Sequence, residues 1–226
     1  MKVCLKVSLL IAAVAVQSSF ASVALITTRA GLSGSDSLLI STIGLDGTTQ
    51  SSGFSAATAL SNTVTFTGGA DGFTVLTEGP SGEWSGNFAN NELILWTSGD
   101  AVPVTMSFSS LVAGVGMQIQ PDEFTTGFTA SIDAYDSGNN DIGSFTETGN
   151  STLLNNGSAM FLGVLSTSTN IKKITINITS PTGLDYAFDS LTFGAPVSGV
   201  PEPSTFFLFL AAAGLWSSAR TFRRRE

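Results

Sequence analysis

Apolar side chains recur at every second position through much of this chain. Val102, Val104, Met106 and Phe108 alternate with small or polar neighbours. So do Val115, Met117 and Ile119, then Phe128, Ala130, Ile132 and Ala134, then Ile174, Ile176 and Ile178. A period of two puts one set of side chains on a core face and the other toward water, which is strand geometry. Val, Ile, Thr and Phe dominate these stretches, as a pleated, half-buried surface prefers. Turn chemistry interrupts them at short intervals: Gly68-Gly69, Asp71-Gly72, Gly79-Pro80, Ser98-Gly99-Asp100, Ser137-Gly138-Asn139-Asn140, Asn155-Asn156-Gly157 and Pro181-Thr182-Gly183. Short strands between such breaks predict an all-β, antiparallel β-sandwich. No helical period of useful length competes with it. Near the end, Tyr186 and Phe188 have one parity, Leu191 and Phe193 the other. A shift of one residue brings all four to the core, which predicts a β-bulge at Asp189-Ser190. Gly194-Ala195-Pro196 then closes the strand and opens a flexible linker.

Both ends of the chain depart from this pattern. Lys2 and Lys6 precede an apolar stretch from Val7 to Val16, and Ser19-Phe20-Ala21 follows with small residues at both positions a signal peptidase accommodates. The stretch falls short of the roughly 20 apolar residues of a spanning helix, so residues 1–21 read as a secretory signal peptide cleaved after Ala21. At the other end, Pro201-Glu202-Pro203 precedes an apolar run from Phe206 to Trp216, and Arg220, Arg223, Arg224 and Arg225 close the chain. Prolines keep the triplet out of helix and ladder. An apolar helix ended by arginines is a membrane stop with its end on the cytoplasmic side. Its length, close to the lower bound of about 17 residues for spanning, suits a transient anchor.

The order Val200-Pro201-Glu202-Pro203-Ser204, apolar run, terminal arginines resembles the PEP-CTERM sorting signal, over residues 200–226. That resemblance implies recognition and cleavage by exosortase, a membrane protease-transpeptidase. It also implies an exported precursor held transiently at the inner membrane and destined for the cell surface or extracellular matrix. Such proteins occur mainly in Gram-negative bacteria that make exopolysaccharide and biofilm. The body from Val112 to Phe193 also resembles β-sandwich ectodomains found on PEP-CTERM proteins, which look like the jelly-roll folds of carbohydrate-binding modules. Among the matching stretches are Val115-Gly116-Met117, Phe128 to Asp136, Phe161 to Val164 and Tyr186 to Phe193. The organisation expected is therefore signal peptide (1–21), ectodomain (22–195), linker (196–200) and sorting signal.

Composition narrows what the ectodomain does. Of the 226 residues none is histidine, and the single cysteine, Cys4, lies in the signal segment. The mature chain thus has no disulfide, no thiolate or imidazole metal ligand and no Ser-His-Asp triad. Its bases are Arg29, Lys172 and Lys173, against fifteen acids from Asp36 to Asp189. An acidic surface repels phosphate backbones and speaks against nucleic-acid binding. Carboxylate chemistry survives this filter. A glycosidase needs only two carboxyls, and Glu78, Glu83, Glu92, Asp122 and Glu123 are candidates with no pair singled out by spacing.

Two further groups are candidate sites. Asp133, Asp136, Asn139, Asn140 and Asp141 crowd one strand end and its turn, an oxygen-rich set suited to calcium, which Asp185 and Asp189 would complete in a jelly roll. Polar turn chemistry uses the same residue types. Trp84, in Gly82-Glu83-Trp84-Ser85-Gly86-Asn87, is the best candidate for stacking on a sugar ring. In that polar, glycine-flanked loop context it reads either as an exposed aromatic or as a plug that covers the core. Tyr135 and Tyr186 are weaker candidates, and Trp96, after Leu93-Ile94-Leu95, reads as core. The leading expectation is a non-enzymatic surface or matrix protein that binds extracellular polysaccharide and needs no cofactor, calcium aside. A secreted glycosidase and a purely structural matrix component are the alternatives.

Overall fold

The structure, a computed structural model, describes residues 21–79, 83–181 and 185–195. The signal segment, the linker beyond residue 195 and the sorting tail lie outside the described residues. Ala21–Ser198 forms one compact unit.

Fifteen strands appear in order: β1 (Val23–Ile26), β2 (Gly34–Leu38), β3 (Thr49–Gln50), β4 (Ser55–Ala57), β5 (Thr63–Thr67), β6 (Phe73–Thr77), β7 (Leu93–Trp96), β8 (Val104–Val112), β9 (Gly114–Pro121), β10 (Thr126–Tyr135), β11 (Asp141–Ser151), β12 (Met160–Ser166), β13 (Ile171–Thr179), β14 (Tyr186–Phe188) and β15 (Leu191–Gly194). Two single-turn 3-10 segments, Arg29–Leu32 and Ile40–Thr42, are the only helical pieces among the described residues. The alternating segments read from sequence became β8, β9, β10 and β13. The breaks at Gly68-Gly69, Ser98-Gly99-Asp100, Ser137 to Asn140 and Asn155 to Gly157 fall between strands.

These strands form two antiparallel sheets. One has six strands in the order β11-β10-β13-β8-β5-β4; the other has nine, built around β9. On one side β9 pairs with β12, which carries β1. On its other side β9 meets β14 and then β15 in succession. Past β14 the sheet continues through β7, β6 and β3, and past β15 it ends on β2. Between Phe188 and Thr192 the β14–β15 chain advances four residues while β9, from Ile119 to Gly116, advances three. This is the extra residue expected at Asp189-Ser190, and Tyr186, Phe188, Leu191 and Phe193 are all buried.

The core lies between the sheets. Phe66 of the six-stranded sheet stacks on Phe188 of the other at 6.2 Å, and Phe108 meets Phe193 edge-on at 5.6 Å. Tyr186 reaches across with its hydroxyl, which accepts from the Val104 N–H (3.1 Å) and has the Val102 and Ile176 carbonyls within reach at 2.9 and 3.2 Å. A second, smaller cluster covers the outer side of the nine-stranded sheet. Leu76, Ile94 and Ala187 point away from the main core there, and Trp84 and Phe88, from the segment linking β6 to β7, close over them. This second layer explains why β14 is buried on both faces; on β9 the second face is closed by Phe161 against Gly116 and by the hydrogen bonds of Gln118 and Gln120. Among the described residues, the outer face of the six-stranded sheet has no such cover and stands open along β11.

Candidate functional site

Strand register turns the polar half of each alternating pattern into rows on that open face. Thr148, Thr129 and Thr179 lie side by side across β11, β10 and β13. The next row is Thr146, Ser131 and Asn177. After it come Ser144, Asp133, Thr175, Thr105 and Thr67, across five strands. A fourth row runs Tyr135, Lys173, Ser107, Thr65 and Ser55. Neighbouring strands lie about 4.8 Å apart and same-face residues roughly 6.8 Å apart along a strand, so the result is a regular grid of hydroxyls. The charges inside the grid are Asp133 and Lys173. Some hydroxyls bond one another, as Thr105 does with Thr175 (3.2 Å) and Ser55 with Thr65 (2.8 Å). On β11 Ser144, Thr146, Thr148 and Asn150 are exposed.

At one corner of the grid lies a shallow groove of about 470 Å³, lined by parts of β10, β11 and β13 and by Ser180 and Pro181. Its cause is Gly127. The row that holds this residue begins with Asn150 on β11, and Pro181 follows in the register of β13 on the other side. A glycine between them leaves the middle position without a side chain.

The acidic turn between β10 and β11 is a self-contained hydrogen-bonded loop. Asp136 accepts from the N–H groups of Gly138 (2.8 Å) and Asn140 (2.9 Å) and from the Asn140 amide, which holds its carboxyl below the usual range. Asp141 accepts from the Gly143 N–H (2.8 Å) and the Ser144 hydroxyl (2.7 Å). Asn139 faces Lys173, whose ammonium sits 4.3 Å above the Tyr135 ring and covers one face of that candidate stacker. Asp133 stands apart, half-buried in the grid.

Asp185 and Asp189 are not at that turn. Asp185, buried, accepts from the Trp96 indole N–H and the Gly99 N–H (2.9 Å). Asp189 occupies the bulge, where its carboxylate accepts from the Gln118 N–H (2.7 Å) and pairs with Arg29. Arg29 also holds the Ser190 carbonyl (3.1 Å) and the Thr192 hydroxyl, and lies over Phe161. Burial pushes the Asp189 carboxyl up to about 7 against the opposing pull of Arg29 and the Gln118 N–H. Its oxygens close the gap that the bulge opens in the ladder, so they serve the fold. The five aspartates do not converge, and no group of three or more acidic side chains among the described residues is placed to hold a metal ion.

Trp84 is corrected from exposed stacker to plug. It is 3% exposed, sits edge-on to Phe124 at 6.4 Å and packs on the outer side of β6, β7 and β14. The polar, glycine-rich residues around it bridge back to the sheet, where the Trp84 strand position pairs with Glu78. Tyr186 is likewise core.

Among the carboxylates proposed for hydrolysis, Glu78 is fully buried beside Trp84. Its Oε1 accepts from the Gly86 N–H at 2.7 Å, while Oε2 and the Trp84 Nε1 have no partner. Burial pushes this carboxyl up from 4.5 to about 7; the Gly86 N–H opposes the rise and nearby Glu92 adds to it. Glu92 accepts from the Ala89 N–H (3.0 Å). Asp122, half-buried near Asp185, is raised by burial and by that neighbour. Glu83 is exposed and Glu123 half-buried.

The described fold defines an acidic all-β sandwich with one open polar face. The rest of its class is written in the tail: residues 199–225 match the PEP-CTERM protein-sorting motif. That motif is the recognition signal for exosortase, and it implies an exported protein made as a membrane-anchored precursor for the cell surface. The match begins one residue before the segment read from sequence and includes Val200 to Ser204 and all four terminal arginines. No curated protein matches the chain.

Proposed function

We propose that this chain is a non-enzymatic surface or matrix protein whose ectodomain binds extracellular polysaccharide through the outer face of the six-stranded sheet. The observation that carries this reading is the hydroxyl grid. Sugars are recognised by hydrogen bonds to hydroxyl and amide groups, and the grid offers these in register across up to five strands. Among the described residues nothing covers it, whereas part of the opposite face of the sandwich, over β6, β7 and β14, is covered by Trp84 and Phe88. A sorting motif that delivers the protein to the cell surface brings that face among extracellular polymers.

The hydrolase alternative would rest on Glu78 as proton donor, with Glu92 as its companion carboxylate. A general acid must come within hydrogen-bond reach of the glycosidic oxygen. Glu78 is enclosed by the β6–β7 segment and engaged by the Gly86 N–H, which favours the binding reading.

Residues 22–198, which contain both sheets and both hydrophobic clusters, provide the test. Mixed with extracellular polysaccharide extracted from the producing cells, the protein is expected to co-sediment with the polymer and release no reducing ends. Absence of co-sedimentation overturns the binding reading. Release of reducing ends that disappears in Glu78→Gln overturns the non-enzymatic one.

A further inference from the structure

We propose that the groove floored by Gly127 is the glycan subsite, and that it selects an uncharged internal sugar unit of a polymer. This deepens the polysaccharide reading and rests on it.

The groove is set by register. Its walls are Asn150 on one side and Pro181 on the other, and the Thr148, Thr129 and Thr179 row runs along it. Gly127, Phe128 and Gly149 also line it. A pyranose has the matching chemistry: a rim of hydroxyls around apolar C–H faces. Its volume, about 470 Å³, falls within the roughly 300–1,000 Å³ typical of small-molecule sites. The groove is an open trough and not an enclosed cavity. An open trough admits a unit in the middle of a chain, and the hydroxyl rows beyond it offer contacts for the units on either side.

A second observation points to a ligand. Ser180 lines the groove, is 8% exposed, and its hydroxyl has no hydrogen-bond partner. Buried polar atoms are ordinarily bonded, and one left alone is unfavourable. A ligand hydroxyl would satisfy it, since hydroxyls exchange hydrogen bonds with a serine.

Charge decides the class of polymer. The lining residues carry neither a base to pair with an anionic sugar nor an acid to pair with an aminosugar cation. The surrounding ectodomain has fifteen acids against three bases. A uronate or sulfated chain would therefore enter a repulsive field with no compensating cation. Recognition also proceeds without an aromatic platform, because Trp84 is buried and Lys173 covers the Tyr135 ring.

Gly127 offers a clean perturbation. A Cβ added there meets nothing closer than Asn150 Oδ1 at 3.7 Å, and the backbone is in the ordinary strand region. Gly127→Val therefore fills the floor of the groove without strain and with a better strand former. Leu45→Ser, exposed in the loop that precedes β3 of the other sheet, is the control. The probes are neutral and acidic fractions of the producer's extracellular polysaccharide, separated by anion exchange, and the assay is affinity gel electrophoresis of residues 22–198. The wild type is expected to be retarded by the neutral fraction and not by the acidic one. Gly127→Val should lose at least tenfold in affinity with an unchanged melting temperature, and Leu45→Ser should stay within twofold. Equal retardation of Gly127→Val and wild type overturns the groove and leaves the polysaccharide reading standing. Preference for the acidic fraction overturns the neutral class. Retardation by neither fraction overturns both readings together.

Discussion

Glu78→Gln removes one titrating proton while keeping nearly the same side-chain shape. In the folded chain this carboxyl is buried and titrates near 7, compared with 4.5 for an ordinary glutamate. The folded state therefore keeps a proton that the unfolded chain releases, and folding takes up a proton between those two values. The stabilising contribution of the neutral carboxyl is complete below about pH 4.5 and is lost as pH rises to 7 and above. At about 1.4 kcal/mol per pH unit, the full span gives roughly 3 kcal/mol, and relaxation around the buried carboxyl brings the expected range to about 2–3 kcal/mol. Glutamine keeps the oxygen that accepts from the Gly86 N–H. Urea unfolding of wild type and variant, measured from pH 5 to pH 8.5, isolates the term as a difference curve. The difference removes contributions shared by both proteins, including those of Asp189 and Asp122, which burial also raises. The variant is expected to gain on the wild type by about 2–3 kcal/mol across this range, with most of the change below pH 7.5. A difference curve flat within about 0.5 kcal/mol would refute the burial argument and place Glu78 in contact with water.

Three other outcomes follow from the same geometry. Tyr186→Phe keeps the ring but strips the partner from the Val104 N–H and from a buried carbonyl. At about 1–3 kcal/mol for a group left unsatisfied, it should cost roughly 2–3 kcal/mol in denaturant unfolding; a loss under 0.5 would mean that water replaces the hydroxyl. The acidic turn is complete without an ion, because Asp136 and Asp141 are already engaged by N–H, amide and hydroxyl groups. Millimolar calcium should accordingly leave the melting temperature unchanged, and a rise reversed by chelator would establish binding by mass action. In an exosortase-containing host, mass spectrometry of the surface protein should find no peptide from 206–226. Replacing Glu202 should leave the tail attached and the protein in the membrane, and recovery of the intact arginine tail from wild type would establish a permanent anchor.

The sequence by itself determined what depends on near neighbours. Strand alternation is local, because a period of two reports burial on one side whatever the partner strand is, and so β8, β9, β10 and β13 were readable directly. The bulge was readable for the same reason: Phe188 and Leu191 differ in parity, and both are too apolar to leave in water. The sorting tail was readable because its signal is the linear order of prolines, apolar run and arginines. Tertiary structure alone decided the rest, because register and layering join residues far apart in the chain. Trp84 and its polar neighbours look like an exposed loop until the uncovered outer side of β6, β7 and β14 supplies the apolar surface they close. Asp189 reads as a metal ligand until the bulge sets it against Arg29, 160 positions away. Each threonine of the hydroxyl grid is an unremarkable surface residue on its own strand. Only the pairing of Thr148 with Thr129, and of Thr129 with Thr179, sets them in one row, and only there does the missing side chain of Gly127 become a groove.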